Sequence, residues 1–440
     1  MLPEIVTPIP GPRSRELAEK LHRYESRNVT FLADDFPIFW QRAAGTNVWD
    51  ADGNRFLDLT SAFGVSSLGH THPRVQSALV GQAGKLMHAM GDVHPTAVKA
   101  ELCARLSALT FERWGAGAGK VVLGNSGSDA IEAALKTALL RTGKAGVIAF
   151  TGAYHGLGLG ALSTSGLPFF REPFRAQLKE FATLLPYPSA PAEDLEPLRQ
   201  AIEKTIREGE IGCILVEPIQ GRGGCVVPPA GFLPMLRAMG DEMGVLLVLD
   251  EVYTGFNRTG ALFACEHSGV VPDLICLGKA LTGGFPLSAC VGRTEVMDAW
   301  PLSSGEALHT STFLGNPLGC AMALASLQEH ADPEVAVRVR SRGQRLKAAL
   351  DNLHSPYVGE VRGAGLMLGV ELIGTDRTPF TRLALAIVKQ ALRDGLLLLA
   401  DAPAGNVLSL TPPFSIDDEE IDFVVSRLQE YLMLLPGSIS

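Results

Sequence analysis

The chain has 440 residues, 46% hydrophobic and 19% charged, with 47 glycines and 28 prolines. These proportions suit a loop-rich α/β enzyme and exclude a coiled coil or a disordered polymer. A net charge of −9, with 38 basic residues spread along the chain and no Lys/Arg cluster able to follow a phosphate backbone, argues against nucleic acid as a partner. The length exceeds what one small core organises, so two packed domains, or a large domain with a satellite, are expected. The seven cysteines (Cys103, Cys213, Cys225, Cys265, Cys276, Cys290, Cys320) form no C-x-x-C pair and sit mostly in apolar runs. That favours a reducing compartment, with the cytoplasm as the default. The first residues, Met1-Leu2-Pro3-Glu4, show no basic-then-apolar leader, and every long apolar run is interrupted by a charge, Gly or Pro, so no membrane span is expected.

Residues 13–26 read as a polar amphipathic helix. Alternating stretches at Phe36–Trp40 and Asn47–Leu59, with a turn at Asp50-Ala51-Asp52-Gly53, predict a small β-hairpin layer. From about residue 60 short apolar runs alternate with helical segments: Val121–Leu123, Gly146–Phe150, Cys213–Val216, Val245–Leu249, Leu274–Leu277 and Leu287–Val291. This pattern indicates a mostly parallel sheet buried on both faces. Beyond about residue 320 a long helical segment precedes Val361–Leu372, a helix near Pro379–Asp394 and a last helix from Asp417 to about Leu434. The expected organisation is an N-terminal segment over 1–60 that packs with a small α+β domain over 320–440, and a large domain over 61–319. No repeat or low-complexity linker interrupts it.

In open α/β sheets ligands bind beyond the carboxyl ends of the strands, so the polar residues that follow each apolar run carry the most information. Val245–Leu249 is followed by Asp250-Glu251, and Leu274–Leu277 by Gly278-Lys279. A strand-end lysine by itself is ordinarily structural or solvated, but here it arrives with partners. A Schiff-base lysine needs an aldehyde cofactor, a carboxylate to keep a pyridine nitrogen protonated, and a site for a phosphate. Asp250 supplies the carboxylate; its other reading is a helix cap. Ser126, Gly127 and Ser128 end a strand and open the helical run Ala130–Leu140, where backbone N–H groups make an anion site. The competing reading is that Ser128 or Asp129 simply caps that helix. Tyr154, after the next strand, is placed to stack on a flat ring. The glycines of Gly156-Leu-Gly-Leu-Gly160 miss the dinucleotide fingerprint and read as backbone flexibility.

Asn125-Ser-Gly-Ser-Asp129, Ala153-Tyr-His-Gly156, Glu217-Pro218, Asp250-Glu-Val-Tyr-Thr-Gly255, Gly278-Lys-Ala-Leu281 and Thr310-Ser-Thr-Phe313 together resemble the class III aminotransferases, of the ornithine and 4-aminobutyrate type. The resemblance runs in order from Val48-Trp-Asp-Ala-Asp-Gly53 through Gly69-His-Thr-His-Pro73 to Pro412-Pro413. It implies fold type I, the aspartate-aminotransferase-like α/β fold, and pyridoxal 5′-phosphate (PLP) held by Lys279. It further implies that Asp250 pairs with the pyridinium, that Val252 packs on the ring opposite Tyr154, and that Ser126, Gly127 and Ser128 bind the phosphate. His155 falls in the same cofactor motif. Thr312 is implied to reach the phosphate from a neighbouring subunit, and hence a homodimer or a dimer of dimers. The implied chemistry is two half-reactions, in which Lys279 shuttles a proton and the amino group passes from an amino acid or ω-amine to a keto acid or aldehyde.

Three departures bear on the substrate. Tyr253 stands where the family usually has Gln near the cofactor's phenolic oxygen, and a phenol donates the same hydrogen bond. Many members using ω-amino acids carry an acid at position 222 and an Arg at position 409, which form a switchable carboxylate gate. Here these are Arg222 and Ser409. Arg222 is therefore a candidate receiver of a substrate carboxylate, with a surface or interface role as the alternative. Glu217 either supports the cofactor or is a buried structural carboxylate, and Phe63 either lines the substrate side or belongs to the core. His155 and His70 lack the spacing of a metal site, and none is expected. The alternative activity is amino-acid racemisation or epimerisation on the same fold. Related racemases carry an acid as a second base at position 222, so Arg222 argues against it, while the missing Arg at 409 leans mildly the other way.

Overall fold

The structure, a computed structural model, describes residues 1–438; Ile439 and Ser440, the end of the expected small domain, lie outside the described residues. The chain divides into two compact units, one built from residues 1–72 and the chain from Arg340 onward, the other from Pro73–Val339. These borders differ from those expected at 60 and 320. Residues 61–72 stay with the N-terminal strands because Gly45 and His70 exchange backbone hydrogen bonds of 3.0 and 2.8 Å. The Ser61 hydroxyl also donates to the Thr411 carbonyl at 2.6 Å. The helix Pro317–His330 belongs to the other unit, whose core takes in its Cys320, Ala323 and Leu327.

In the first unit, β1 (Trp40–Ala44), β2 (Asn47–Asp50) and β3 (Arg55–Asp58) form an antiparallel layer. The turn from β2 to β3 closes on the Asp50 carboxylate, which accepts from the Asp52 and Asn54 N–H groups. Phe36–Phe39 precede the first strand, which begins at Trp40 rather than at Phe36.

The second unit holds β4 (Gly119–Gly124), β5 (Gly146–Phe150), β6 (Ala182–Leu185), β7 (Ile211–Val216), β8 (Leu246–Asp250), β9 (Leu274–Leu277) and β10 (Ser288–Arg293). Their order in one sheet is β4-β10-β9-β8-β7-β5-β6. β5 to β9 pair in parallel, and β10 runs antiparallel to both β4 and β9. The continuous apolar strands follow from burial on both sides. Ile214, Leu247, Leu249 and Ile275 face one core, while Cys213, Leu215, Val248 and Cys276 face the other. β6 was not expected: its four residues are half-buried or exposed and give little apolar signal.

The first unit is completed by β11 (Val358–Ala364), β12 (Met367–Leu372), β13 (Leu396–Leu397), β14 (Leu399–Asp401) and β15 (Val407–Leu410). β13 pairs in parallel with β3, and the other four form an antiparallel sheet in the order β11-β12-β15-β14. Val361–Leu372, expected as one stretch, lies within a hairpin that turns between Ala364 and Met367. No helix among the described residues is long and apolar enough to cross a membrane.

Candidate active site at the strand ends

The segments that follow β4, β5, β7, β8 and β9 converge on one cavity of about 550 Å³ in the second unit. It is lined by eleven of the expected residues, namely Ser126, Gly127, Ser128, Tyr154, His155, Glu217, Arg222, Asp250, Val252, Tyr253 and Lys279. A cavity of this size suits a small cofactor together with a substrate.

At the end of β4 the helix Gly127–Thr142 begins with Ser126 as its N-cap. Ser126 accepts from the Asp129 N–H, and Asp129 accepts from the Asn125 and Ser126 N–H groups at 2.8 and 3.2 Å. The cap is thus Ser126, not Ser128 or Asp129. Ser128 is released to face the cavity, where its hydroxyl accepts from the Gly158 N–H at 3.1 Å. Gly156 explains why this segment needs glycine: its φ is +118°, and a Cβ there would stand 2.7 Å from that of Ser128. The glycines here serve close approach rather than flexibility. At Gly127 a Cβ would meet Val252 at 3.0 Å, so the helix start and the residue two beyond β8 are packed together.

At the centre, Asp250 and His155 are both buried, with Asp250 Oδ2 2.7 Å from His155 Nδ1. Asp250 Oδ1 accepts from the Val252 N–H at 3.0 Å. His155 Nε2 is buried with no hydrogen-bond partner among the described residues, an arrangement that usually marks a missing ligand or water. Glu217, buried at the end of β7, accepts from the Tyr154 N–H at 2.9 Å and the Gly221 N–H at 3.0 Å. Burial pushes its carboxyl up to about 7; the neighbouring His155 opposes that rise and Asp250 adds to it.

Lys279 follows β9 with φ +34°, a left-handed conformation that costs a lysine on the order of 1–2 kcal/mol. The turn is closed by the Leu281 N–H bonding the Gly278 carbonyl at 2.8 Å. Lys279 Nζ lies 4.5 Å from the centre of the Tyr253 ring. On the other side, the half-buried Arg222 guanidinium stands 5.3 Å from the Tyr154 ring and 5.4 Å from the Phe170 ring. Burial raises the Tyr154 phenol above its ordinary value, and the Arg222 charge opposes that rise.

Chain residues 31–432 match the family model described as aminotransferase class-III. The chain belongs to the class III aminotransferases. The 4-aminobutyrate aminotransferase of Mycobacterium leprae is 37% identical to this aminotransferase over 438 residues, 94% of this chain and 95% of the relative. The acetylornithine aminotransferase of Methanopyrus kandleri is 37% identical over 424 residues, 95% of this chain and 98% of the relative. An amine transaminase from an uncultivated Pseudomonas species, solved in its PLP-bound internal aldimine form, superposes with a TM-score of 0.85 at 29% identity, covering 93% and 98% of the two chains. The aminotransferase is thus a PLP-dependent fold type I enzyme that moves amino groups in two half-reactions, and none of these findings favours the racemase alternative.

Three expected residues do not line the cavity. Thr312 is exposed in the segment before Pro317; its neighbour Ser311 accepts from Asn125 Nδ2 at 3.2 Å, beside the helix N-cap. Phe63 and Ser409 belong to the first unit. Phe63 is 57% exposed with φ +61°, so it is not a core residue there, and Ser409 is buried in β15 opposite Gly369 and Leu399. Phe170 went unnoticed in the sequence; its one signal was the Phe169-Phe170 pair after Pro168.

Proposed function

We propose that this aminotransferase moves the amino group of a carboxylate-bearing donor to a keto acid or aldehyde, with Lys279 as proton carrier and Arg222 as carboxylate receiver. The observation that carries the reading is the convergence on one cavity of a lysine, a buried Asp250–His155 pair and the start of a sixteen-residue helix.

The residues fit PLP need by need. The N–H groups at the start of the helix, with the Ser126 and Ser128 hydroxyls and Gly127, suit a phosphate dianion. Tyr154 and Val252 would flank the ring, and the Asp250 carboxylate would keep its nitrogen protonated. His155 holds Asp250 in place, and Tyr253 offers a phenol to the ring's own oxygen. When bound, the cofactor supplies an aldehyde for the amino group and an electron sink for the charge left at the substrate Cα. Lys279 Nζ takes the Cα proton, within reach because the turn after β9 fixes its backbone. Glu217 ties Tyr154 and the Gly221-Arg222 loop to one carboxyl. Arg222 presents a planar fork to the substrate carboxylate; the 4-aminobutyrate and acetylornithine aminotransferases that this chain resembles take their names from carboxylate-bearing amines. Arg222→Ala should raise KM for carboxylate donors and acceptors about tenfold or more. Unchanged KM for both would overturn the assignment.

The same reading makes the enzyme a cytoplasmic homodimer in which Thr312 of one subunit completes the phosphate site of the other. Exposed Met87, Met90, Val93, Leu302, Leu308 and Phe313, on two segments joined by a His88–Phe313 ring contact, support a surface that a second copy covers. Light scattering should give twice the 46.8 kDa chain mass; a monomer of full activity would refute it.

A further inference from the structure

Arg222 is held at both ends. Its backbone follows Gly221, whose N–H bonds buried Glu217 at 3.0 Å. Gln220, one residue further back, exchanges backbone hydrogen bonds with Val226 and donates its side-chain amide to the Thr151 carbonyl at 2.9 Å. The guanidinium meets the faces of Tyr154 and Phe170, whose rings stand 5.3 Å apart and meet edge to face. Neither ring is loose. The Tyr154 N–H is tied to the same Glu217 carboxyl. The short helix Pro168–Arg171 that carries Phe170 is fastened by Arg171, which donates to the Ser163 and Ser165 carbonyls at 2.8 and 2.7 Å.

Among the described residues that line the cavity, Arg222 and Lys279 are the Lys and Arg side chains. Lys279 marks where the reacting carbon must stand, and Arg222 marks where a carboxylate is held. Donor and acceptor visit the same cavity in turn, one in each half-reaction. With the guanidinium set against two rings, its distance from the reacting carbon becomes a ruler, and a misplacement of about 1 Å costs up to about a hundredfold in rate.

We propose that Tyr154 and Phe170 clamp the Arg222 guanidinium, so that one fixed cation reads the carboxylate of donor and acceptor alike. The clamp therefore sets how many bonds from the reacting carbon a substrate carboxylate is read. This rests on Arg222 being the carboxylate receiver and adds Phe170 as the residue that positions it.

The test is a chain-length profile on the holoenzyme, using straight-chain amino acids and keto acids lengthened one methylene at a time. Each series should peak sharply at one length, with kcat/KM falling about tenfold or more one methylene either side. Phe170→Leu should flatten both peaks and lower the preference for carboxylate donors over a carboxylate-free primary amine by about tenfold, mainly through KM. Phe170→Tyr, which keeps the ring, should restore both. A wild-type profile that is flat in chain length overturns the proposal, as does a Phe170→Leu enzyme that loses activity equally on carboxylate and carboxylate-free amines. If Arg222→Ala raises KM for carboxylates while Phe170→Leu leaves the length profile unchanged, the clamp fails and the receiver stands. An unchanged KM in Arg222→Ala removes both.

Discussion

Asp250 is fixed by a 2.7 Å contact to a buried histidine and by a backbone N–H, whereas Arg222 rests half-buried against two aromatic faces more than 5 Å away. Buried hydrogen bonds thus mark one end of the cavity, and aromatic faces border the other. At the cofactor end, buried hydrogen bonds and a helix start leave little freedom, because an unpaired group there would cost on the order of 1–3 kcal/mol. At the substrate end, contacts to ring faces contribute less each, on the order of 1 kcal/mol, and tolerate replacement. Substitution at the second end therefore need not disturb Asp250 or Lys279 at the first.

The largest effect should come from Lys279→Ala, with kcat/KM lower by about a thousandfold or more because the proposed proton carrier is removed. Retention of wild-type rates would break the contrast at its strong end. Asp250→Asn should cost about a hundredfold, measured in single-turnover rates with saturating cofactor. At the substrate end, Arg222→Ala should change KM by about tenfold and leave kcat on a carboxylate-free amine closer to wild type. If it instead lowered kcat on every amine alike, the two ends would not be separable.

A smaller effect concerns pH. Burial raises the Glu217 carboxyl from an ordinary value of 4.5 to about 7, so the folded protein holds a proton there that the unfolded chain gives up. Its contribution to stability is therefore fully present below about pH 4.5 and declines as pH rises toward 7. Each unit of displacement corresponds to about 1.4 kcal/mol. Thermal melts of the cofactor-free protein from pH 5 to 8 should show this decline, and Glu217→Gln should flatten it. An identical pH slope in the variant would mean that Glu217 is already ionised.

The convergence of Asp250 and Lys279 on one cavity was legible because strand and turn are contiguous in sequence. Leu246–Asp250 is an apolar run that delivers its acid at the strand end, and Gly278-Lys279 does the same for β9. The parallel sheet was legible for the same reason, since burial on two faces writes an unbroken apolar run. Residues brought together from distant turns were not. Phe170 meets Tyr154 and Arg222 from short helical turns whose sequences carry no periodicity, and β6 is too short and exposed to announce itself. The alternative reading put the helix cap at Ser128 or Asp129, two or three residues past Ser126, because all three have capping side chains and the 3.2 Å bond from the Asp129 N–H selects Ser126. Domain borders were missed where hydrogen bonds, rather than composition, decide the neighbour, as at Gly45 and His70.

The most direct test mixes the holoenzyme with a carboxylate-bearing amine and no acceptor, following the cofactor's visible absorbance and the product by mass. Stoichiometric conversion to pyridoxamine phosphate and one equivalent of keto acid, abolished in Lys279→Ala, is the predicted result. Inversion of the amine's configuration without pyridoxamine phosphate, or its undiminished formation in Lys279→Ala, would contradict the account.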